Sequence, residues 1–241
     1  MQNRRYVKNF SFLEDTACYC GSQQPFSLCC GPKSKKRKVP NGISIVNEFL
    51  SAPQINNLIR WAEKQKRSWL TTIDLEKSMA GKTIQKKDAG RVTQTVALGT
   101  RQAKINSLLH KAYANEITPR SGLQIESFEP ASMLRYGPGG KYGAHADAEQ
   151  DDEHGVFYKV LDRDISLLLY LNDNYEGGEL KFTHLNYTYK PKAGDLVFFP
   201  SNHIFTHEST PLTVGVKWAI VSWAKLTQSV PLPDSIKRIS L

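Results

Sequence analysis

From about residue 120 onward, apolar residues stop recurring at helical spacing and begin to alternate, and this change constrains the fold more than any other feature. Alternating runs fall near residues 94–98, 123–128, 132–137, 164–171, 179–183, 195–199 and 214–224, separated by Gly, Pro and Asn turns. The stretch 43–50, Ile-Ser-Ile-Val-Asn-Glu-Phe-Leu, is also strand-like. One helix opens at Ser51 as N-cap, with Pro53 in its first turn and Ile55, Leu58, Ile59 and Ala62 on one face. A second spans 101–114, with Ile105, Leu108, Leu109 and Ala112 inward and His110 at the surface. Between the helices, residues 71–92 are polar and Lys-rich with a break at Gly81, and read as a loop, either a substrate cover or an ordinary mobile connection. Two helices followed by many short strands predict a mostly β (α+β) protein: a double-sheet jelly-roll barrel with flanking helices.

Residues 132–147 end in His145-Ala-Asp147. On a strand, residues i and i+2 share a face, so an imidazole and a carboxylate would grip one ion from one side. Two ligands leave a site incomplete, and His207 in Phe-Thr-His-Glu-Ser is the best third. Two His and one carboxylate on one face of a metal, with the other positions open, is the ligand set of non-haem Fe(II) oxygenases. His203 lies four residues before His207 in a Pro-Ser-Asn-His loop and is expected behind the ligands at most. His154 and His184 are spare. After Asp147, residues Glu149, Asp151, Asp152 and Glu153 make an acidic stretch, either a solvated loop or a negative mouth that attracts a cationic substrate.

Four ordered motifs extend this pattern. They are Tyr136-Gly-Pro-Gly-Gly-x-Tyr142-x-x-His145-x-Asp147, then Tyr170-Leu-Asn-x-x-Tyr-Glu-Gly-Gly-Glu179-Leu, then Lys190-Pro-x-x-Gly194-Asp-Leu-Val-Phe-Phe-Pro200, then His207-Glu-x9-Trp218 onward to Trp223. In that order they resemble the prolyl 4-hydroxylase-like branch of the 2-oxoglutarate/Fe(II) dioxygenases, over roughly residues 41–226. The resemblance implies a double-stranded β-helix of cupin-like type, Fe(II) on His145, Asp147 and His207, 2-oxoglutarate as co-substrate and L-ascorbate as reductant.

Lys217 stands in Val-Gly-Val-Lys-Trp-Ala-Ile-Val-Ser-Trp, an otherwise apolar strand where a cation is costly without an anionic partner. Ala219, Val221 and Trp223 share its face, so all four should line the barrel interior. The resemblance assigns Lys217 the far carboxylate of 2-oxoglutarate and Tyr142 a hydroxyl donated to the same molecule. Tyr170 is a second candidate for that donor, Tyr136 is placed near metal or substrate, and Trp223 walls the pocket.

All four cysteines, Cys18, Cys20, Cys29 and Cys30, fall within thirteen residues. The N-terminus lacks an apolar stretch after its arginines, so no secretory signal is expected and the cluster favours a metal over disulfides. The C-x-C-x8-C-C spacing suits a tetrahedral zinc knuckle and resembles the zinc motif at the C-terminus of the SecA translocation ATPase. Residues 32–40, Pro-Lys-Ser-Lys-Lys-Arg-Lys-Val-Pro, read as a charged tether first, a ribosome or RNA contact second and a nuclear signal third. Of the formal charge of +9, residues 1–40 carry +6 (eight Lys/Arg against Glu14 and Asp15). The expected organisation is a zinc knuckle over 1–31, a basic linker over 32–40 and a dioxygenase domain over 41–241. No apolar run approaches the ~20 residues that span a bilayer, and a cytoplasmic, bacterial setting is expected.

The expected reaction is hydroxylation of a protein or peptide side chain, prolyl foremost, with release of succinate and CO2. The alternatives are another side chain or a small amino acid as acceptor, or a silent barrel whose N-terminus docks to a ribosome, RNA or chaperone. Oligomeric state is not legible in the sequence.

Overall fold

Alternation along the strands builds two facing antiparallel sheets, one large and one small. The computed structural model describes residues 5–7, 39–73, 85–229, 232 and 238–241. The zinc knuckle expected at Cys18, Cys20, Cys29 and Cys30, and the basic run through residue 38, lie outside these residues.

The large sheet runs in the order Ser44–Val46, Leu196–Pro200, Ile165–Tyr170, Lys217–Leu226, Ser132–Tyr136, Gln94–Val96 and Arg67–Trp69. Ile125–Phe128 and Ile239–Ser240 join it at the side. Its outer face carries Ile165, Leu167, Leu169, Met133, Trp218, Ile220 and Ala224, which pack on the helices. Its inner face carries Tyr136, Leu134, Ser166, Leu168, Tyr170 and the odd-numbered residues 217–223, which line a cavity. One strand thus serves two environments with a period of two.

The helices Ala52–Ala62 and Gln102–Lys111 cover the outer face with Ile55, Leu58, Ile59 and Ala62, and with Ile105, Leu108, Leu109 and Ala112. Gln54 accepts a hydrogen bond from the Ser51 backbone at 2.9 Å and closes the first helix's N-terminus. The second helix runs further than its periodicity predicts. It widens into a π turn over Ala112–Ile117, continues through Thr118–Ser121, and stops at Gly122. Tyr113 and Ile117 are buried there, and the Tyr113 hydroxyl donates to Ser222 Oγ at 3.2 Å, a tertiary contact that local spacing cannot reveal.

The small sheet is ordered Tyr187–Tyr189, Leu180–Phe182, His207–Ser209, Lys141–His145 and Arg91–Val92. Between the sheets, beside the cavity, Phe182, Phe199, Phe205, Val197 and Leu180 form a second core. Gly137-Pro138-Gly139-Gly140 makes the turn into Lys141–His145, with Gly140 N donating to Gly137 O at 2.8 Å. Pro138 sits second, and Gly139 at φ +77 sits third, where a type II turn requires positive φ.

Several expectations are corrected. The loop expected over 71–92 contains strands: Thr71–Ile73 pairs with Gln85–Lys87, and Arg91–Val92 joins the small sheet. Their polar, Lys-rich composition hides edge pairing, which uses backbone rather than apolar alternation. The strand-like stretch 43–50 pairs only over Ser44–Val46, because Glu48 at φ 54 turns the chain. The run 214–224 is two strands, Leu212–Val214 and Lys217–Leu226, divided at Gly215 (φ 86). Arg5–Val7 adds to Val156–Lys159 at the edge of a separate three-stranded sheet. No described helix is long and apolar enough to cross a membrane.

Candidate metal and co-substrate site

His145 and His207 are direct partners across two adjacent strands of the small sheet, with ring centroids 4.5 Å apart. Asp147 is not on the strand as its spacing suggested. The strand ends at His145, and Asp147 stands in the bend that follows. There its Oδ1 lies 3.3 Å from His145 Nε2 and its Oδ2 3.7 Å from His207 Nε2. One ligand atom from each of the three residues falls within 4.8 Å of the others, the one such His/Cys/Asp/Glu group among the described residues.

Backbone carbonyls set the tautomers. His145 Nδ1 faces Gly143 O at 2.8 Å and His207 Nδ1 faces Phe205 O at 3.0 Å. A carbonyl only accepts, so both Nδ1 atoms carry the proton and both Nε2 lone pairs point into the site. Burial pushes the His207 imidazole down to about 4, so it is neutral over the usual pH range. For Asp147 burial works in the opposite sense, yet His207, His145 and the Ser166 hydroxyl hold its carboxyl far below the ordinary carboxylate range. Two imidazoles and one carboxylate, converging and already oriented, fit a divalent metal of the Fe(II) class.

Two further contacts fix Asp147. Ser166 Oγ donates to its Oδ2 at 2.6 Å and Arg163 Nη1 to its backbone carbonyl at 3.2 Å. Arg163 holds both oxygens of Glu129, at 2.5 and 2.7 Å, and its guanidinium lies 3.7 Å over the Trp223 ring. Glu129's carbonyl accepts from Ser222, which accepts from Tyr113, so a hydrogen-bonded path joins the second helix to the site. Ser166 was not singled out from the sequence, although a lone hydroxyl in Ile-Ser-Leu-Leu-Leu-Tyr is a legible signal, because a buried polar group needs a partner. Arg163 gave no such signal.

The opposite wall belongs to the large sheet. Lys217 is 2% exposed, and its ammonium donates to Gly178 O at 2.6 Å and Ser209 Oγ at 2.8 Å. It lies 5.0 Å from the Tyr136 ring and 5.3 Å from the Tyr170 ring. Burial pushes it down to about 7, against a weaker opposing pull from Glu179. Both tyrosines are buried, and desolvation raises their hydroxyl pKa values, so they remain neutral donors. Tyr142 lies on the metal side, its ring 4.2 Å from that of His145. Three residues apart on a regular strand, the two would face opposite ways, but a register shift between them turns both inward.

His145, Asp147, His207, Lys217, Tyr136, Tyr142, Tyr170 and Trp223 therefore line one cavity of about 320 Å³, together with Arg91, Arg163, Ser166 and Ser209. The acidic stretch behaves otherwise. Glu149 is buried against His203 and Asp152 Oδ1 caps a turn at His154 and Val156, which leaves Asp151 and Glu153 exposed.

Comparison with known proteins is consistent with this site. The chain is 38% identical over 115 residues to a PKHD-type hydroxylase of Stenotrophomonas maltophilia, covering 46% of this chain and 48% of that protein. It is 31% identical over 112 residues to prolyl 4-hydroxylase subunit alpha-1 of Gallus gallus, covering 43% and 22%. The match thus spans about half of the first relative's length and less of the second's. The viral collagen prolyl hydroxylase of Paramecium bursaria Chlorella virus-1, solved with 2-oxoglutarate, shares the double-stranded β-helix fold at a TM-score of 0.52. Identity to it is 22%, over 76% of this chain and 95% of that one. Residues 131–225, which hold all three candidate metal ligands and Lys217, match the model of the 2OG-Fe(II) oxygenase superfamily.

Proposed function

We propose that the protein is a 2-oxoglutarate- and Fe(II)-dependent dioxygenase that hydroxylates a side chain of a protein or peptide, prolyl foremost. One observation carries the reading: three oriented ligand atoms within 4.8 Å share a cavity with a buried, unneutralised Lys217 on the opposite sheet. The prolyl preference rests on the prolyl 4-hydroxylase relative.

His145, Asp147 and His207 hold Fe(II), which when bound supplies oxygen activation coupled to decarboxylation of 2-oxoglutarate, yielding succinate, CO2 and a hydroxylated C–H position. Lys217 binds the far carboxylate of 2-oxoglutarate, with Tyr136 and Tyr170 packed about its ammonium. Tyr142 donates its hydroxyl to the same molecule near the metal. Leu134, Leu168, Ala219 and Val221 exclude water from the path between the two ends, and Trp223 walls the substrate side under Arg163.

For the N-terminal segment, we propose that Cys18, Cys20, Cys29 and Cys30 hold a structural zinc ion and that the basic run beside them is a charged tether, with contact to a ribosome or RNA as its second role. Zinc thiolates require a reducing compartment, which favours a cytoplasmic location. L-ascorbate serves as reductant.

The test is anaerobic Fe(II) titration with and without 2-oxoglutarate, followed by its visible charge-transfer band, in wild type and Lys217→Ala. The expected result is a band that needs both additions and weakens in the variant. No band from folded protein would sink the oxygenase reading in favour of a docking module.

A further inference from the structure

Two segments distant in sequence lead to two of the candidate metal ligands. Asp147 stands in the bend after Lys141–His145, and His207 follows a short 3-10 turn, His203–Phe205. Relative to the metal, both positions depend on how these loops meet. We infer that Glu149 and His203 are positioning residues: a buried brace that sets the spacing between the Asp147 and His207 loops. The inference rests on the proposed metal site and adds residues that do not touch the metal.

Glu149 Oε2 accepts from the His203 backbone N–H at 2.8 Å and faces His203 Nδ1 at 2.6 Å, across 54 residues of sequence. A carboxylate only accepts, so Nδ1 carries the proton at this contact. Both side chains are buried, at 7% and 1% exposure. The His203 ring stacks on Phe157 at 4.3 Å with 14° between planes, which fixes its orientation. Beside the pair, Ala148 N donates to Ser201 O at 3.0 Å, a second bridge between the same loops.

The effect reaches the ligands through short covalent paths. Glu149 is two residues from Asp147. His203 opens the turn whose Phe205 carbonyl orients the His207 ring, and Thr206 Oγ1 closes that turn on His203 O at 2.6 Å. Burying a carboxylate and an imidazole costs stability that two apolar side chains of similar size would not. A brace explains the arrangement, because a directional two-point contact fixes spacing where apolar packing would let the loops slide. Partners beyond the ligands commonly change metal affinity by roughly 10- to 100-fold.

The experiment measures Mn(II) affinity of the full chain, free ion being followed by electron paramagnetic resonance, with the melting temperature of the metal-free protein recorded alongside. Glu149→Ala and His203→Ala should each weaken binding about tenfold or more, and the double variant should be no weaker than the worse single one. His203→Asn puts an amide N–H where Nδ1 was, and Glu149→Gln keeps an acceptor at Oε2. Both should restore affinity to within about threefold of wild type. Asn47→Ala, which breaks a 2.9 Å bond to the buried Asp195 away from the site, should lower melting without moving Mn(II) affinity.

Wild-type affinity in both folded alanine variants would overturn the brace, as would failure of His203→Asn to restore binding. If the alanine variants do not fold, His203→Gln, whose amide nitrogen falls at the Nε2 position instead, is compared with His203→Asn, and equal affinity overturns it too. No Mn(II) binding by wild type would remove the metal site itself, a result distinct from either.

Discussion

Lys217 and Tyr136 are partners across adjacent strands of the large sheet, with the Lys217 ammonium 5.0 Å from the Tyr136 ring. The cation is held by a carbonyl, a hydroxyl and two aromatic faces, and among the described residues no carboxylate pairs with it directly. On the proposed reading, one carboxylate of 2-oxoglutarate would pair with this ammonium. Lys217→Met keeps the stem and removes the charge. It should weaken 2-oxoglutarate binding by roughly 100-fold or more while Mn(II) affinity stays near wild type. Calorimetric titration of both ligands checks this.

The same ammonium gives a pH signature. Burial pushes it to about 7 from an ordinary 10.5, so between these values the folded protein binds fewer protons than the unfolded chain. The ligand-free protein should therefore gain stability as pH rises from about 7 toward 10, relative to Lys217→Met, and this relative gain should vanish below 7. Binding of 2-oxoglutarate near pH 8 should draw in a proton. Melting curves against pH, and calorimetry in buffers of different ionisation enthalpy, read the two effects. A relative stability that falls with rising pH would contradict the assignment.

Tyr142→Phe preserves the ring packed 4.2 Å from His145 and removes only the hydroxyl. We expect 2-oxoglutarate affinity to drop about three- to tenfold, the usual worth of one hydrogen bond, with metal binding unchanged. An equal loss of both would mean that the ring, not the hydroxyl, matters.

Ser166→Ala removes the hydroxyl 2.6 Å from Asp147 Oδ2 without opening a large cavity. Mn(II) affinity should fall by about tenfold, and the folded fraction at room temperature should be unaltered. Unchanged affinity would show that Arg163 alone suffices to hold Asp147.

Gly177 has φ +71, and a Cβ there would lie 2.1 Å from Pro211 O. Gly177→Ala should cost about 3 kcal/mol or more, from strain and overlap together, measured as a lowered urea midpoint. This accounts physically for the first Gly of the Glu176-Gly177-Gly178-Glu179 stretch. The second contributes its carbonyl to Lys217.

Strands of the large sheet were legible because both faces are largely buried, so Ile165–Tyr170 and Ser132–Tyr136 are short, mostly apolar runs near their observed bounds. The helix face Ile55, Leu58, Ile59, Ala62 was legible for the same reason. In the small sheet Leu180–Phe182 was read near its bounds, but the strands that carry the site were not. His207–Ser209 and Lys141–His145 carry ligands, glycines and lysine where apolar residues would have marked them. The bend at Asp147 and the shift between Tyr142 and His145 left no local signal either, since both arise from pairing with distant segments. The meaning of Glu149 and His203 was hidden for that reason: 54 residues separate two atoms 2.6 Å apart.

The two ends of the candidate site belong to different sheets, the imidazoles to the small one and Lys217 to the large one. The gap between sheets is thus a caliper. It is set by Phe182, Phe199 and Phe205, which do not line the cavity. On the proposed reading, a diacid one methylene longer or shorter would be gauged by the thickness of that hydrophobic filling. Trimming or padding a phenyl ring there would retune which oxo-acid fits, leaving every contacting residue as it is.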